Sequence, residues 1–258
     1  MKLIAGALSA VLWAAALSGC ATNSSDEDVT VYAASSLTDA FVAIGEAFEE
    51  TNPQYRVHFN FAASSELAVQ INERAPADVF ASANEAQMQV VLDAGNAGAP
   101  AVFTRNELAL AAPADSDVVT VFDDIAAPGA IIVAAAPDVP VGELFHRAMD
   151  ALLTSGVRDQ AFLDAVIANL ASEESNVRAV LTRVELGEAD AGFIYATDLA
   201  IAGDTVRRIL MPAEARLSSA YPIVAIGDEP TEGATAFITF VLSGAGQAVL
   251  TSYGFSQP

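Results

Sequence analysis

Val31-Tyr32-Ala33-Ala34-Ser35-Ser36-Leu37 and Phe61-Ala62-Ala63-Ser64-Ser65-Glu66-Leu67 are two copies of one phrase. Each runs from an extended apolar stretch, through two alanines and a serine pair, into the first residues of a helical pattern. A strand that becomes a helix through small hydroxyl residues gathers free backbone N–H groups and serine O–H groups at the helix N-terminus. That arrangement suits an anion. A serine ahead of a helix is also an ordinary N-cap, and Ser36 with Asp39 three residues on fits that pattern too.

Outward from these turns the chain alternates strands and helices. Val29 to Ala34 reads as a buried strand, and Leu37, Ala40, Phe41, Ile44, Ala47 and Phe48 recur at helical spacing. Val57, Phe59 and Phe61 alternate with Arg56, His58 and Asn60, the pattern of a half-buried strand. Its helix carries Leu67, Ala68 and Ile71 on one face. A third strand at 78–82 and a helix at 85–94 follow, then a loop at 95–100. This β-α-β-α-β-α order predicts a parallel sheet with right-handed crossovers. A strand at 107–112 leads into an acidic, irregular connection at 115–128. A second α/β series starts at 130–135. Its helices begin at Val141, near Asp159 and at Val177, and its strands lie at 192–195, 206–211 and 221–226. Two terminal helices are expected at 232–242 and 246–253. The reading is an α/β chain of two lobes, with the segments near 107–112 and 221–226 as candidates to cross between them.

Composition narrows the partners. The 258 residues carry a formal charge of −22, are 53% hydrophobic and have a mean hydropathy of +0.41. Nucleic acids and anionic membrane surfaces call for basic patches, so neither is expected as a partner. Lys2 is the sole lysine, which leaves arginine or neutral donors for any anion site further along. Cys20 is the sole cysteine, so no internal disulfide forms. Leu3 to Leu17 is an uncharged apolar run behind Met1-Lys2, the form of a signal-peptide core at 1–19. It ends in Leu17-Ser18-Gly19-Cys20, which resembles the bacterial lipoprotein lipobox. That resemblance implies cleavage before Cys20 and lipidation of its thiol. A plain secretory signal with an incidental cysteine is the other reading. Residues 20–28 form a small, polar, acidic tether. The single tryptophan, Trp13, would leave with the signal.

Four helix starts stand out as ligand candidates: Ser36, Ser64–Ser65, Val141 and Val177. In open α/β sheets, ligands sit beyond the carboxyl ends of the strands, where helix N-termini converge. Two facing lobes would surround a tetrahedral oxyanion with diverging N–H and O–H donors. Tyr195, at the end of a short buried strand, offers either a core hydroxyl bonded to backbone or a further ligand donor. Enzyme signatures such as G-x-S-x-G, the Walker loop and G-x-G-x-x-G are absent from the sequence. His58 and His146 have no cysteine or second histidine at metal spacing. The pairs Glu49-Glu50, Asp123-Asp124 and Glu173-Glu174 read as solvated faces.

With these residues in view, the chain resembles the periplasmic molybdate-binding proteins of ABC transporters from about Val29 to Phe255. The landmarks are Ala33-Ala34-Ser35-Ser36-Leu37-Thr38-Asp39-Ala40, Phe61-Ala62-Ala63-Ser64-Ser65-Glu66-Leu67 and Ala75-Pro76-Ala77-Asp78-Val79-Phe80-Ala81-Ser82-Ala83. Val139-Pro140-Val141-Gly142, Asn176-Val177-Arg178, Gly192-Phe193-Ile194-Tyr195, Tyr221-Pro222-Ile223 and Tyr253-Gly254-Phe255 follow in order. The resemblance implies a two-lobed periplasmic-binding-protein fold, each lobe a mostly parallel sheet flanked by helices, with the ligand in the cleft. It implies lobe I at 29–108 and 223–258 and lobe II at 109–222. It also implies an oxyanion held by Ser36, Ser64 and Tyr195 hydroxyls and by the Val141 and Val177 amides, with the choice within each serine pair resting on the resemblance alone. The family more often has alanine where Val141 stands, a change that a backbone contact tolerates. Residues 173–176 depart from the acidic residue commoner beside Val177. The implied function is capture of molybdate, and of tungstate, for delivery to a membrane permease. The protein would be a lipid-anchored, extracytoplasmic monomer with no catalysis, cofactor or metal ion other than molybdenum as its oxyanion. Sulfate or phosphate in the same site, and a secreted hydrolase on a similar fold, are the alternatives.

Overall fold

Strand β1 (Glu27–Ala34) lies between two parallel neighbours, and the whole sheet grows from it. The computed structural model describes residues 27–258. The signal, the lipobox cysteine Cys20 and most of the tether fall outside them. Ser35–Leu37 form a single 3-10 turn ahead of α1 (Thr38–Thr51). Then come β2 (Tyr55–Ala62), α2 (Ser64–Asn72), β3 (Val79–Ala81), α3 (Glu85–Asp93) and β4 (Ala101–Pro113). The second half consists of β5 (Ile132–Ala135), α4 (Pro140–Thr154), α5 (Gln160–Ala168), β6 (Leu170–Glu174), α6 (Val177–Glu185), β7 (Ala191–Tyr195), α7 (Ala196–Ala202) and β8 (Val206–Ile209). The chain closes with β9 (Ser218–Ala225), α8 (Glu232–Leu242) and α9 (Gly244–Ser252).

Sheet order is β2-β1-β3-β9-β4-β7-β5-β6, with β8 beside β4. Each half has a parallel trio, β2-β1-β3 in the first and β7-β5-β6 in the second. Antiparallel pairings of β9 and β4 join the two. Strand β4 belongs to both halves: residues 101–107 pair with β9, and residues 108–111 pair with β7. The second crossing differs from expectation, because β9 pairs only within the first half and the return lies ahead of it. The parallel trios explain the near-continuous apolar runs in β1, β3, β5 and β7, since such strands are covered on both faces. Phe41, Phe48 and Phe237 pack edge-on where α1 and α8 cover the first half. Phe145 and Phe193 lie 4.5 Å apart between α4 and β7 in the second.

Three expectations fail locally. Strand β4 starts at Ala101, six residues earlier than its apolar pattern suggests. Its inward positions Thr104 and Asn106 are polar but bonded, Thr104 Oγ1 donating to the Ser256 carbonyl at 2.7 Å and Asn106 Nδ2 to Thr197 Oγ1 at 2.8 Å. Strand β6 has no counterpart in the apolar pattern, which shows no strand at 170–174. It is an edge strand paired only to β5, so its acidic Leu-Ala-Ser-Glu-Glu sequence is tolerated. The acidic pairs also do local work. Asp124 accepts bonds from the Thr120 and Val121 N–H groups, and Glu49 accepts from the Val57 N–H at 2.7 Å.

Candidate functional site

The serines do not cap their helices. Helix α1 begins at Thr38, no side chain caps it, and Ser36 Oγ instead lies 2.9 Å from the Tyr221 hydroxyl. This corrects the N-cap reading of Ser36. Helix α2 is likewise uncapped, and Ser64 Oγ accepts the Ala83 N–H at 2.9 Å. A hydroxyl that accepts a backbone N–H keeps its own proton free to donate. Ser36 is oriented in a related way: Asn106 Nδ2 lies 3.4 Å from the Tyr221 oxygen, and if it donates there the Tyr221 proton turns toward Ser36 Oγ. The Ser36 proton is then free as well.

The second half presents two more helix starts. Helix α4 has Pro140 in its first turn and no side-chain cap, which leaves the Val141 N–H among the amides without an intrahelical acceptor. Gly142 allows this turn to sit tight on the end of β5, because a Cβ there would run into the Ala135 and Ala136 carbonyl oxygens. At α6 the Asn176 side chain caps the N–H groups of Arg178 and Ala179, at 2.9 and 3.1 Å. That cap passes over the Val177 N–H.

These groups meet in one place. One small cavity is lined by Ala34, Ser35, Ser36, Ala63, Ser64, Ala83, Val139, Pro140, Val141, Val177 and Tyr195. All five residues named for an oxyanion from sequence are on that wall. Ser65 is not, which separates the members of the second serine pair, whereas Ser35 and Ser36 both line the cavity. Tyr195 is buried and its hydroxyl has no hydrogen-bond partner. Burial, with the neighbouring Tyr221, Asp198 and Glu143, holds its pKa well above the ordinary tyrosine value, so it stays a neutral O–H donor. No charged side chain lines the wall.

Several residues that support this wall escaped the sequence reading. Tyr221 and Asn106 sit in strands that read as plain structure, yet both are buried and hydrogen-bonded behind Ser36. Burial also raises Tyr221 above the usual tyrosine range. Asp198, fully buried in the first turn of α7, accepts the Tyr195 N–H at 3.0 Å and pairs with Arg178 Nε at 3.2 Å. Burial pushes its carboxyl up to about 6 against the pull of Arg178. A polar group beside an apolar run was the available signal at Tyr221 and Asp198, whereas Asn106, between Arg105 and Glu107, carried none. The histidines stay away from the wall: His58 pairs with Asp28 at 2.9 Å on the surface, and His146 packs on Phe145. Among the described residues no cluster of His, Cys, Asp or Glu is placed to hold a metal ion.

Residues 29–256 match the family model of the bacterial extracellular solute-binding proteins. The chain belongs to that family. It is 36% identical to the molybdate-binding protein ModA of Mycobacterium bovis over 270 aligned residues, covering 99% of this chain and 98% of that one. It is 33% identical to ModA of Haemophilus influenzae, covering 88% and 89%. Among solved structures, the substrate-binding domain of a putative molybdenum ABC transporter from Clostridium difficile superposes with a TM-score of 0.65 at 26% identity. That match covers 90% of this chain and 99% of the other. The family is one of solute-binding proteins rather than enzymes, and its two-lobed fold agrees with the two half-sheets joined through β4.

Proposed function

We propose that this family member is the solute-binding component of an ABC importer. In this reading it captures molybdate, and tungstate with it, between its two halves and hands the ion to a membrane permease. The observation that carries the reading is the donor wall: Ser36, Ser64, Val141, Val177 and Tyr195 surround one small cavity with no charged side chain on it. A fully deprotonated tetrahedral dianion has oxygen acceptors pointing in every direction and no proton to give. Hydrogen bonds to a charged partner contribute about 1.5–3 kcal/mol each, so five such donors contribute roughly 8–15 kcal/mol, enough to offset association costs that start at about 4 kcal/mol. Surface acidity is no obstacle, because charges beyond about 8–10 Å are screened at physiological salt.

The same reading divides the chain into lobe I, expected at 29–108 and 223–258, and lobe II, expected at 109–222, with the second limit moved back ahead of β9 (Ser218–Ala225), which pairs only within the first half. The pairing of β4 with β9 up to residue 107 and with β7 from residue 108 supports the first of these limits. It makes the mature chain a monomer, held to the envelope by a lipid on Cys20 after removal of residues 1–19, with no catalysis and no cofactor. Calorimetry with molybdate, tungstate, sulfate and phosphate is the test. Molybdate and tungstate are expected to bind at least a hundredfold more tightly than sulfate or phosphate. Tight sulfate binding beside micromolar or weaker molybdate binding overturns the assignment.

A further inference from the structure

Arg178 stands one residue past Val177 and reaches two carboxylates. Its Nη2 donates to Asp39 Oδ2 at 2.6 Å, and its Nε lies 3.2 Å from Asp198 Oδ1. Asp39 is in the first turn of α1, three residues after Ser36. Asp198 is in the first turn of α7, three residues after Tyr195. One guanidinium therefore ties together the three segments that carry Ser36, Val177 and Tyr195. The two contacts differ in kind: the one to Asp39 is a hydrogen-bonded ion pair, and the one to Asp198 is a charge pair without a hydrogen bond between those atoms. Arg178 and Asp198 are both in the second half and stay together however the halves move. Asp39 is in the first half, so its bond exists only while the halves touch.

A second contact of this kind flanks the cavity on the Ser64 side. Asn84, next to the wall residue Ala83, donates through Nδ2 to Glu143 Oε2 at 2.6 Å. Glu143 is two residues past Val141, in the first turn of α4. Gln87 Nε2 extends the contact to the Asp138 carbonyl at 3.0 Å.

We propose that Asp39–Arg178 and Asn84–Glu143 are the two closure latches of this protein, and that they set how long a captured oxyanion stays. Arg178 is then a positioning residue: it holds the Val177 and Tyr195 segments together at all times and recruits the Ser36 segment on closure. The physical case rests on preorganisation. Buried Asp198 already orders and partly desolvates Arg178, whose side chain is 24% exposed, so forming the Asp39 bond orders little that was free. The Asp39 side chain is 41% exposed, so Asp39→Asn keeps its shape without burying an unpaired group.

The inference rests on the oxyanion reading and is tested with molybdate in stopped-flow measurements of tyrosine fluorescence. The variants are Asp39→Asn, Glu143→Ala and Asp39→Glu. Asp39→Asn is expected to speed release about fivefold, the upper range for a partly exposed ion pair, with association unchanged or slightly faster. Glu143→Ala should act in the same direction, and the two together should multiply, since they flank opposite sides of the cavity. Asp39→Glu should recover most of the residence time. Ligand-free melting temperatures should stay at the wild-type value. A plain electrostatic role predicts the reverse sign, because removing a negative charge near a dianion slows its release. Wild-type release rates in both single variants, or slower release in Asp39→Asn, overturn the latches. A wild type that binds none of the four oxyanions overturns the functional reading and the latches with it, and this is seen before any variant is made.

Discussion

Replacing Tyr195 by Phe separates a ligand donor from a core tyrosine, because the two roles move stability and affinity in different directions. The Tyr195 side chain is 1% exposed and its hydroxyl has no partner. A buried hydroxyl without a partner costs about 1–3 kcal/mol. Removing that oxygen while keeping the ring retains the packing against Tyr221, whose ring meets it nearly edge-on at 5.9 Å. The ligand-free variant should therefore melt at or above the wild-type temperature. Binding should suffer, because a hydrogen bond to a charged oxyanion contributes about 1.5–3 kcal/mol. At about 1.36 kcal/mol per factor of ten, that is a loss of roughly 10- to 160-fold in molybdate affinity. Calorimetry reads the loss directly, and thermal shift gives an independent check. Molybdate at a thousand times the wild-type Kd should stabilise the wild type by about 4.1 kcal/mol, whereas a variant weakened a hundredfold should gain only about 1.4 kcal/mol. Unchanged affinity removes Tyr195 from the site. A large drop in ligand-free stability shows instead that the hydroxyl serves the core.

Other substitutions test the remaining wall. Ser36→Ala and Ser64→Ala should each weaken molybdate binding by about 1.5–3 kcal/mol, and wild-type calorimetric titrations in both would sink the assignment. Gly142→Ala forces a methyl into the Ala135 and Ala136 carbonyls, so it should cost about 1–3 kcal/mol of stability and displace the Val141 amide. Urea midpoints and titrations that match the wild type would show that the close approach does not matter. Asp198 supplies a pH test with a fixed sign. Its folded pKa is raised from 3.8 to about 6, mainly by burial, so between these values the folded protein holds a proton that the unfolded chain has released. Stability from this group therefore rises as pH falls through 6. From pH 7.5 to pH 4.5 the wild type should gain about 2 kcal/mol relative to Asp198→Asn in urea unfolding. A flat difference, or one of opposite sign, refutes the raised pKa.

Much of this architecture was legible because burial and periodicity agree. Helix α1 shows its buried face as Ala40, Phe41, Ile44 and Phe48, all named from spacing alone. Strand β1 is apolar and buried from Val31 to Ala34 because helices α1, α2 and α8 pack on it, and β3 is a short apolar run buried throughout. The pattern fails where side chains are buried for their hydrogen bonds instead of their apolar surface. Thr104 and Asn106 hide the first half of β4, and with it the strand that joins the halves. Strand β6 was hidden for the opposite reason, since an edge position never required it to be apolar.

The candidate site divides in the same way. Helix starts are local, so Ser36, Ser64, Val141 and Val177 were visible one by one as turns with small residues or free amides. What makes them more than caps is nonlocal. Ser36 is taken up by Tyr221, 185 residues away, and Ser64 by the Ala83 amide at the end of the next strand. Each bond removes the serine from capping duty, and at Ser64, which accepts the Ala83 N–H, it leaves the hydroxyl proton free for the cavity. A serine that capped its own helix would already have directed its oxygen to backbone N–H groups and been a poorer donor. The uncapped helix starts and the engaged serines are thus one device. Donors left without helical partners converge on the cavity, and in the proposed function a charged oxyanion completes their hydrogen bonding when the halves close.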